Sequence, residues 1–165
     1  MSIIFSSNTL KLGRTQNELN KYGNCVRKLQ NEDYEKYVSL LSQLTDVGNI
    51  TKKIFCDRLE IINKNPNLYI MVIVDNYNNE LISAGTIYIE PKFIHECSKI
   101  GHIEDIVVNN KYRGQNYGKH IIRLLLDIAK RENCYKVTLA CKEKNIGFYN
   151  KCGFKLEGYE MVARL

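Results

Sequence analysis

Several signatures are missing from this sequence, and each absence removes a class of protein. No block of five or six like charges occurs, which argues against a basic arm for nucleic acid. The longest apolar run, 68–74, falls far short of the roughly 20 residues a membrane helix needs. The six cysteines, Cys25, Cys56, Cys97, Cys134, Cys141 and Cys152, include no C-x-x-C pair. A zinc ribbon or dithiol motif therefore has no support, and Cys97, Cys134 and Cys141, in or beside apolar segments, read as small free hydrophobes of a reducing compartment. No metal site is expected. The opening Met-Ser-Ile-Ile-Phe-Ser-Ser lacks a basic n-region and a long apolar core, so a cytoplasmic location is the expectation. Neither an internal repeat nor a low-complexity linker is visible.

What is present is a chain of 165 residues, the size of one domain, with 44% hydrophobic and 25% charged residues. Such a chain buries enough surface to fold without covalent staples. The formal charge of +6 suits anionic ligands such as phosphates, and equally suits plain solubility.

Patterning divides the chain into a loosely held, flexible and part-helical N-terminal arm over 1–23 and a single domain over 24–165. A short strand over 25–30 precedes a helix carrying Tyr34, Tyr37, Val38, Leu41 and Leu44. Thr51 starts a second helix with Ile54, Phe55, Leu59 and Ile62 on its buried side, and Pro66 stops it. The continuous run 68–74 predicts a strand buried on both faces. A return strand over 81–89, ended by Pro91, and a strand over 100–108 follow. Ile121, Ile122, Leu124, Leu125, Ile128 and Ala129 mark the core face of a helix over 117–132. A strand over 135–141, a short helix over 145–151 and a last strand over 154–163 complete the order β-α-α-β-β-β-α-β-α-β. That order predicts an α+β fold with a mixed sheet and helices on both faces.

The chemistry concentrates where Ile103-Glu104-Asp105-Ile106-Val107-Val108 runs into Arg113-Gly114-Gln115-Asn116-Tyr117-Gly118-Lys119. A strand enters a glycine-bearing loop that opens a long helix. Free amides and the positive helix end make an anion seat there, to which Arg113 and Lys119 add charge. Gly114 and Gly118 allow close backbone approach to a pyrophosphate. The spacing fits neither a Walker loop nor a dinucleotide fingerprint.

This loop resembles the pyrophosphate turn of GNAT acetyltransferases, Q/R-x-x-G-x-G/A, with Arg113 and Gly118 at its ends. Asn116 replaces the middle glycine, and Asn tolerates the left-handed region that turn uses. Beyond about residue 25 the chain resembles glucosamine 6-phosphate N-acetyltransferases. The segments that carry the resemblance include Lys92-Phe93-Ile94-His95, Gly101 to Val108, Cys134-Tyr135-Lys136, Glu143 to Tyr149 and Lys151-Cys152-Gly153-Phe154. The resemblance implies the GNAT fold, with a mostly antiparallel sheet. It also implies acetyl transfer from acetyl-CoA to the 2-amino group of glucosamine 6-phosphate, in UDP-N-acetylglucosamine biosynthesis.

Attack of an amine on a thioester needs a base, a stabilised oxyanion and a proton for the leaving thiolate. Glu104 is the candidate to orient or deprotonate the amine, and Tyr149 matches the family tyrosine beside the sulfur. A bulge in the strand would let both Glu104 and Asp105 reach the cleft. By resemblance, the backbone of Ile106, Val107 and Val108 holds the acetyl-pantetheine arm. The loop from Arg113 through Gly114, Gln115, Asn116, Tyr117 and Gly118 to Lys119 holds the pyrophosphate, and Asn145, Phe148 and Tyr149 add cofactor contacts. Substrate-binding positions carry over to Thr45, Lys92, His95, Glu104, Asp105, Tyr135, Lys136 and Arg164. In the family the last strand exchanges across a homodimer, which would give Arg164 to the partner's site. The sequence departs from the family at Ala140, where an acidic residue is common. Two other readings stay open: a GNAT enzyme acting on a protein or peptide amine, and a non-catalytic module that binds acyl-CoA or RNA.

Overall fold

The computed structural model describes residues 13–164. Five strands form one sheet in the order β1-β2-β3-β4-β5: β1 (Asn24–Lys28), β2 (Leu68–Asp75), β3 (Leu81–Pro91), β4 (Lys99–Val108) and β5 (Cys134–Thr138). The first four are antiparallel neighbours, and β4 pairs with β5 in parallel. A parallel return needs a crossover, and α5 (Tyr117–Arg131) supplies it.

The continuous apolar run of β2 is explained by its two burials. Met71 and Ile73 join a core with α5, while Val72 and Val74 face a second core under α2 (Tyr34–Leu41) and α3 (Lys52–Lys64). Successive strand residues point to opposite faces, so a strand covered on both sides has no polar position to spare. In α5, Ile121, Leu124, Leu125 and Ile128 are wholly buried, each contributing about 1.5–3 kcal/mol of transfer energy. Lys130 and Arg131 occupy its last turn, where cations suit the helix dipole. Asn133, with φ +58°, makes the left-handed exit. Thr51 caps α3, its hydroxyl accepting from the Ile54 amide at 3.3 Å.

Four expectations change. Residues 1–12 of the predicted arm lie outside the described residues. Of the rest, α1 (Gly13–Asn20) is a helix with Leu19 fully buried, because it docks on α5 and β1. Of the four residues expected on the buried side of α3, Phe55 and Leu59 are buried and Ile62 is half-buried, but Ile54 is 54% exposed. The strand expected over 135–141 stops at Thr138, where β4 and β5 part. The last strand expected over 154–163 is absent among the described residues. Tyr159 and Met161 there are exposed and their backbone has no neighbouring strand, and a strand exists only when paired.

Candidate active site

The parting of β4 and β5 builds the site. Their pairing ends at His102 opposite Thr138, while β4 continues to Val108. From Ile103 onward the edge of β4 that faced β5 borders a cleft of about 910 Å³. Its walls include Ile106, Val107, Val108, Arg113, Phe148 and Tyr149.

A bulge turns β4 at the head of this cleft. Ala84 pairs with Val107 and Thr86 with Glu104, so Gly85 alone stands opposite Asp105 and Ile106. Asp105 takes φ +53°, which an aspartate tolerates better than most residues. The consequence is the one the sequence raised: Glu104 and Asp105 are both exposed and both line the cleft. Gly85 is required by contact, since a Cβ there would stand 2.5 Å from Cδ1 of Ile106.

Glu104 and Tyr149 occupy a junction. A second cavity of about 720 Å³ lies beside the first, lined by His102, Lys136, Thr138 and Glu160. Both cavities share Glu104, Leu139, Ala140, Cys141 and Tyr149. Burial, the Asp105 charge and the Glu160 charge push the Glu104 carboxyl above its ordinary range, against a smaller opposing pull from His102. Partial burial, with Cys141, Cys152 and Glu104 nearby, pushes the Tyr149 phenol up, so it holds its proton at neutral pH.

The loop at the other end is shaped for an anion. Asn116 sits at φ +65°, ψ +7°, so the residue in place of the family glycine adopts the left-handed turn. Gly114 is also left-handed, at φ +79°. The amides of Gly114 to Gly118 have no acceptor among the described residues. Arg113 donates from Nε to the Val108 carbonyl at 3.1 Å, tying the loop to the end of β4 while leaving its outer nitrogens available. Gly118 lines the cleft and is also needed for packing. A Cβ there would meet the Phe148 ring at 3.0 Å, so this glycine lets α6 (Ile146–Asn150) pack across the first turn of α5.

The other sequence-marked positions are dispersed. Lys136 lines the second cavity, and its ammonium lies 5.7 Å from the Tyr135 ring centroid. His95 stacks on Tyr135 at 4.3 Å. It lies in α4 (Ile94–Cys97), a turn in which His95, Glu96 and Cys97 all take positive φ. Lys92 is paired with Glu90. Thr45, Lys92, His95, Gln115, Tyr135 and Arg164 line neither cavity, while Asn145 lines the larger one. A polar chain escaped the sequence reading: Glu90 to His102 Nε2 at 2.8 Å, then His102 Nδ1 to Thr138 Oγ1 at 3.2 Å. Its signal was the spacing of His102 two residues before Glu104, which puts both on one face of β4.

The pattern of the acetyltransferase (GNAT) family matches residues 26–154. A Candida albicans glucosamine 6-phosphate N-acetyltransferase is 39% identical over 143 residues, covering 86% of this chain and 96% of that one. Glucosamine 6-phosphate N-acetyltransferase 1 of Dictyostelium discoideum is 43% identical over 145 residues, covering 87% and 92%. The crystal structure of glucosamine-6-phosphate N-acetyltransferase from Arabidopsis thaliana superposes with a TM-score of 0.82 at 37% identity, covering 86% and 97%. With the splayed strands, the bulge and the loop at the head of α5, these likenesses lead to one conclusion: the chain belongs to the GNAT acetyltransferases and, within them, to the glucosamine 6-phosphate N-acetyltransferase family.

Proposed function

We propose that this chain transfers the acetyl group of acetyl-CoA to the 2-amino group of D-glucosamine 6-phosphate. The products are N-acetyl-D-glucosamine 6-phosphate and CoA, on the route to UDP-N-acetylglucosamine. The observation that carries the reading is the junction of two cavities at Glu104 and Tyr149. An acyl donor and an amine acceptor must meet without a covalent enzyme intermediate, and a two-lobed site with a carboxylate and a phenol at its waist suits that.

The residues fit acetyl-CoA. The loop offers free amides and the Arg113 and Lys119 charges to a pyrophosphate, and the unpaired edge of β4 offers backbone groups to a pantetheine amide. Acetyl-CoA supplies the acetyl group as a thioester whose carbonyl carbon an amine attacks. Glu104 accepts the proton that the amine nitrogen must lose, directly or through water. Its raised pKa brings it nearer that of the amine it serves. An amide of Ile106 to Val108 donates to the carbonyl oxygen as charge gathers there. Tyr149 donates its hydroxyl proton to the departing sulfur as the C–S bond breaks, and regains a proton from solvent. Lys136, beside Glu104 in the smaller cavity, offers its ammonium to the sugar phosphate. Arg164 joins it only if the C-terminal segment crosses to a second copy in a homodimer.

The test is thiol release from acetyl-CoA with glucosamine 6-phosphate, with unphosphorylated glucosamine in parallel. Fast release with the phosphate and little without it supports the assignment. Turnover on a peptide amine panel and none on the sugar phosphate sinks it.

A further inference from the structure

We infer that Lys142, Lys144 and Lys151, which line the same cleft as the pyrophosphate loop, form a second phosphate subsite. That subsite would read the ribose 3′-phosphate of CoA and distinguish CoA from its dephospho form. This rests on the proposed acetyl-CoA reading and deepens it.

Lys142, Lys144 and Lys151 all line the larger cavity, as do Arg113 and Lys119. They come from the segment that leaves β5, from the 3-10 turn Glu143–Asn145, and from the residue that ends α6. Packing brings them to the loop. Phe148 of α6 sits against Gly118, so the short helix with its flanking lysines packs on the first turn of α5, where the pyrophosphate loop ends. All three are exposed, and none has a carboxylate or other side-chain partner among the described residues. Elsewhere the chain pairs many of its cations: Arg27 with Asp33, Lys53 with Asp57, Lys64 with Glu60, Lys92 with Glu90 and Lys99 with Glu132. Five cations without a carboxylate partner among the described residues, Arg113, Lys119, Lys142, Lys144 and Lys151, line this one cleft.

The charge count supports a second phosphate. A pyrophosphate diester carries two negative charges, and the pyrophosphate loop already supplies Arg113, Lys119 and the free amides. Three further cations exceed what that group needs. The carboxylates of the same cleft, Glu104 and Asp105, stand at the head of the cleft and do not neutralise them. The group in CoA that carries additional charge, on the nucleoside side of the pyrophosphate, is the 3′-phosphate monoester. Lysine ammoniums on flexible stems suit a mobile, solvent-exposed phosphate as point charges. Because they are exposed, each contributes a small factor, and selectivity comes from their sum.

The experiment measures binding by isothermal titration calorimetry of the full chain with CoA and with dephospho-CoA at one ionic strength. Wild-type protein is expected to bind dephospho-CoA about tenfold more weakly, as several small exposed ion pairs add up. The double variant K144A/K151A is expected to lose about the same factor for CoA and almost nothing for dephospho-CoA. The CoA affinity should also fall more steeply with salt than that of dephospho-CoA. Equal wild-type affinities overturn the subsite while leaving the acetyl-CoA reading intact. Equal weakening of both ligands by the double variant also overturns it, since the lysines would then serve the cleft as a whole. Failure of wild-type protein to bind either ligand overturns both readings. The wild-type comparison needs no variant, so a folding defect in K144A/K151A, checked by circular dichroism, leaves that arm decisive.

Discussion

Replacing Gly85 with alanine should damage stability and the site together, and a second substitution should undo part of the damage. The added Cβ would stand 2.5 Å from Cδ1 of Ile106, 3.0 Å from Cδ1 of Leu125 and 3.2 Å from Cγ1 of Ile121. Ordinary carbon contacts lie near 3.5–4.0 Å. Leu125 and Ile121 are wholly buried on α5, so they yield only by lifting that helix from the sheet. Ile106 retreats only by altering the bulge, which displaces Asp105 from φ +53° and Glu104 with it. Overpacking of this kind costs about 1–3 kcal/mol, and with three contacts the upper end is expected. Ile106→Val removes the atom in closest conflict and by itself costs about 0.5–1.5 kcal/mol. The double variant should be more stable than the sum of the two by about 1 kcal/mol, because the substitutions relieve one contact. Urea unfolding of the wild type, both single variants and the double variant gives the cycle, with unchanged m-values as the check on two-state behaviour. Acetyl transfer measured alongside should fall in G85A and partly return in the double variant. Additivity within about 0.3–0.5 kcal/mol would refute the claim that Gly85 exists to accommodate the bulge.

Four further substitutions have definite expected outcomes. Glu104→Gln should lower acetyl transfer by about 10²-fold or more, as loss of a general base does, and remove the acid limb of its pH profile. Asp105→Asn should move that limb to lower pH, because the Asp105 charge helps raise the Glu104 pKa. The same raised pKa means that wild type loses stability as pH climbs from the ordinary glutamate value through the folded one. Glu104→Gln should therefore melt higher than wild type at pH 7 and equal to it in acid, as read by calorimetry. Tyr149→Phe should reduce kcat by about 10-fold to 10²-fold with little change in KM in steady-state assays, since a proton donor to the leaving sulfur acts only as the bond breaks. Asp33→Asn should destabilise by about 3–5 kcal/mol in urea unfolding, because it strands a half-buried Arg27 that now holds both carboxylate oxygens at 2.6 and 2.8 Å. Burial pushes the Asp33 carboxyl up, but the Arg27 and Gln30 hydrogen bonds together with the Arg27 and Lys36 charges hold it below the usual range. Its contribution is thus present above the ordinary aspartate pKa and fades as pH falls through the lowered one.

The sequence by itself determined the elements whose periodicity is long and unambiguous. The apolar stripe of α5, the doubly buried run of β2 and the strand-loop-helix around Gly114 were legible because they depend on neighbours in sequence. Asn116 was legible for the same reason: the left-handed turn is a property of one residue and its own side chain. Only the tertiary structure decided the rest. That Ile54 is exposed while Phe55 and Leu59 are buried depended on which face of α3 met the sheet. The position of the bulge depended on Gly85 across the strand pair, a partner 20 residues away that no local pattern connects to Asp105. The end of β5 depended on where two parallel strands part, and the C-terminal segment has no strand because a strand is a property of a pair. Chain-local torsions and side-chain periodicity are written along the sequence. The junction of two cavities at Glu104 and Tyr149 comes from packing between distant segments, and it exists only once the sheet has formed.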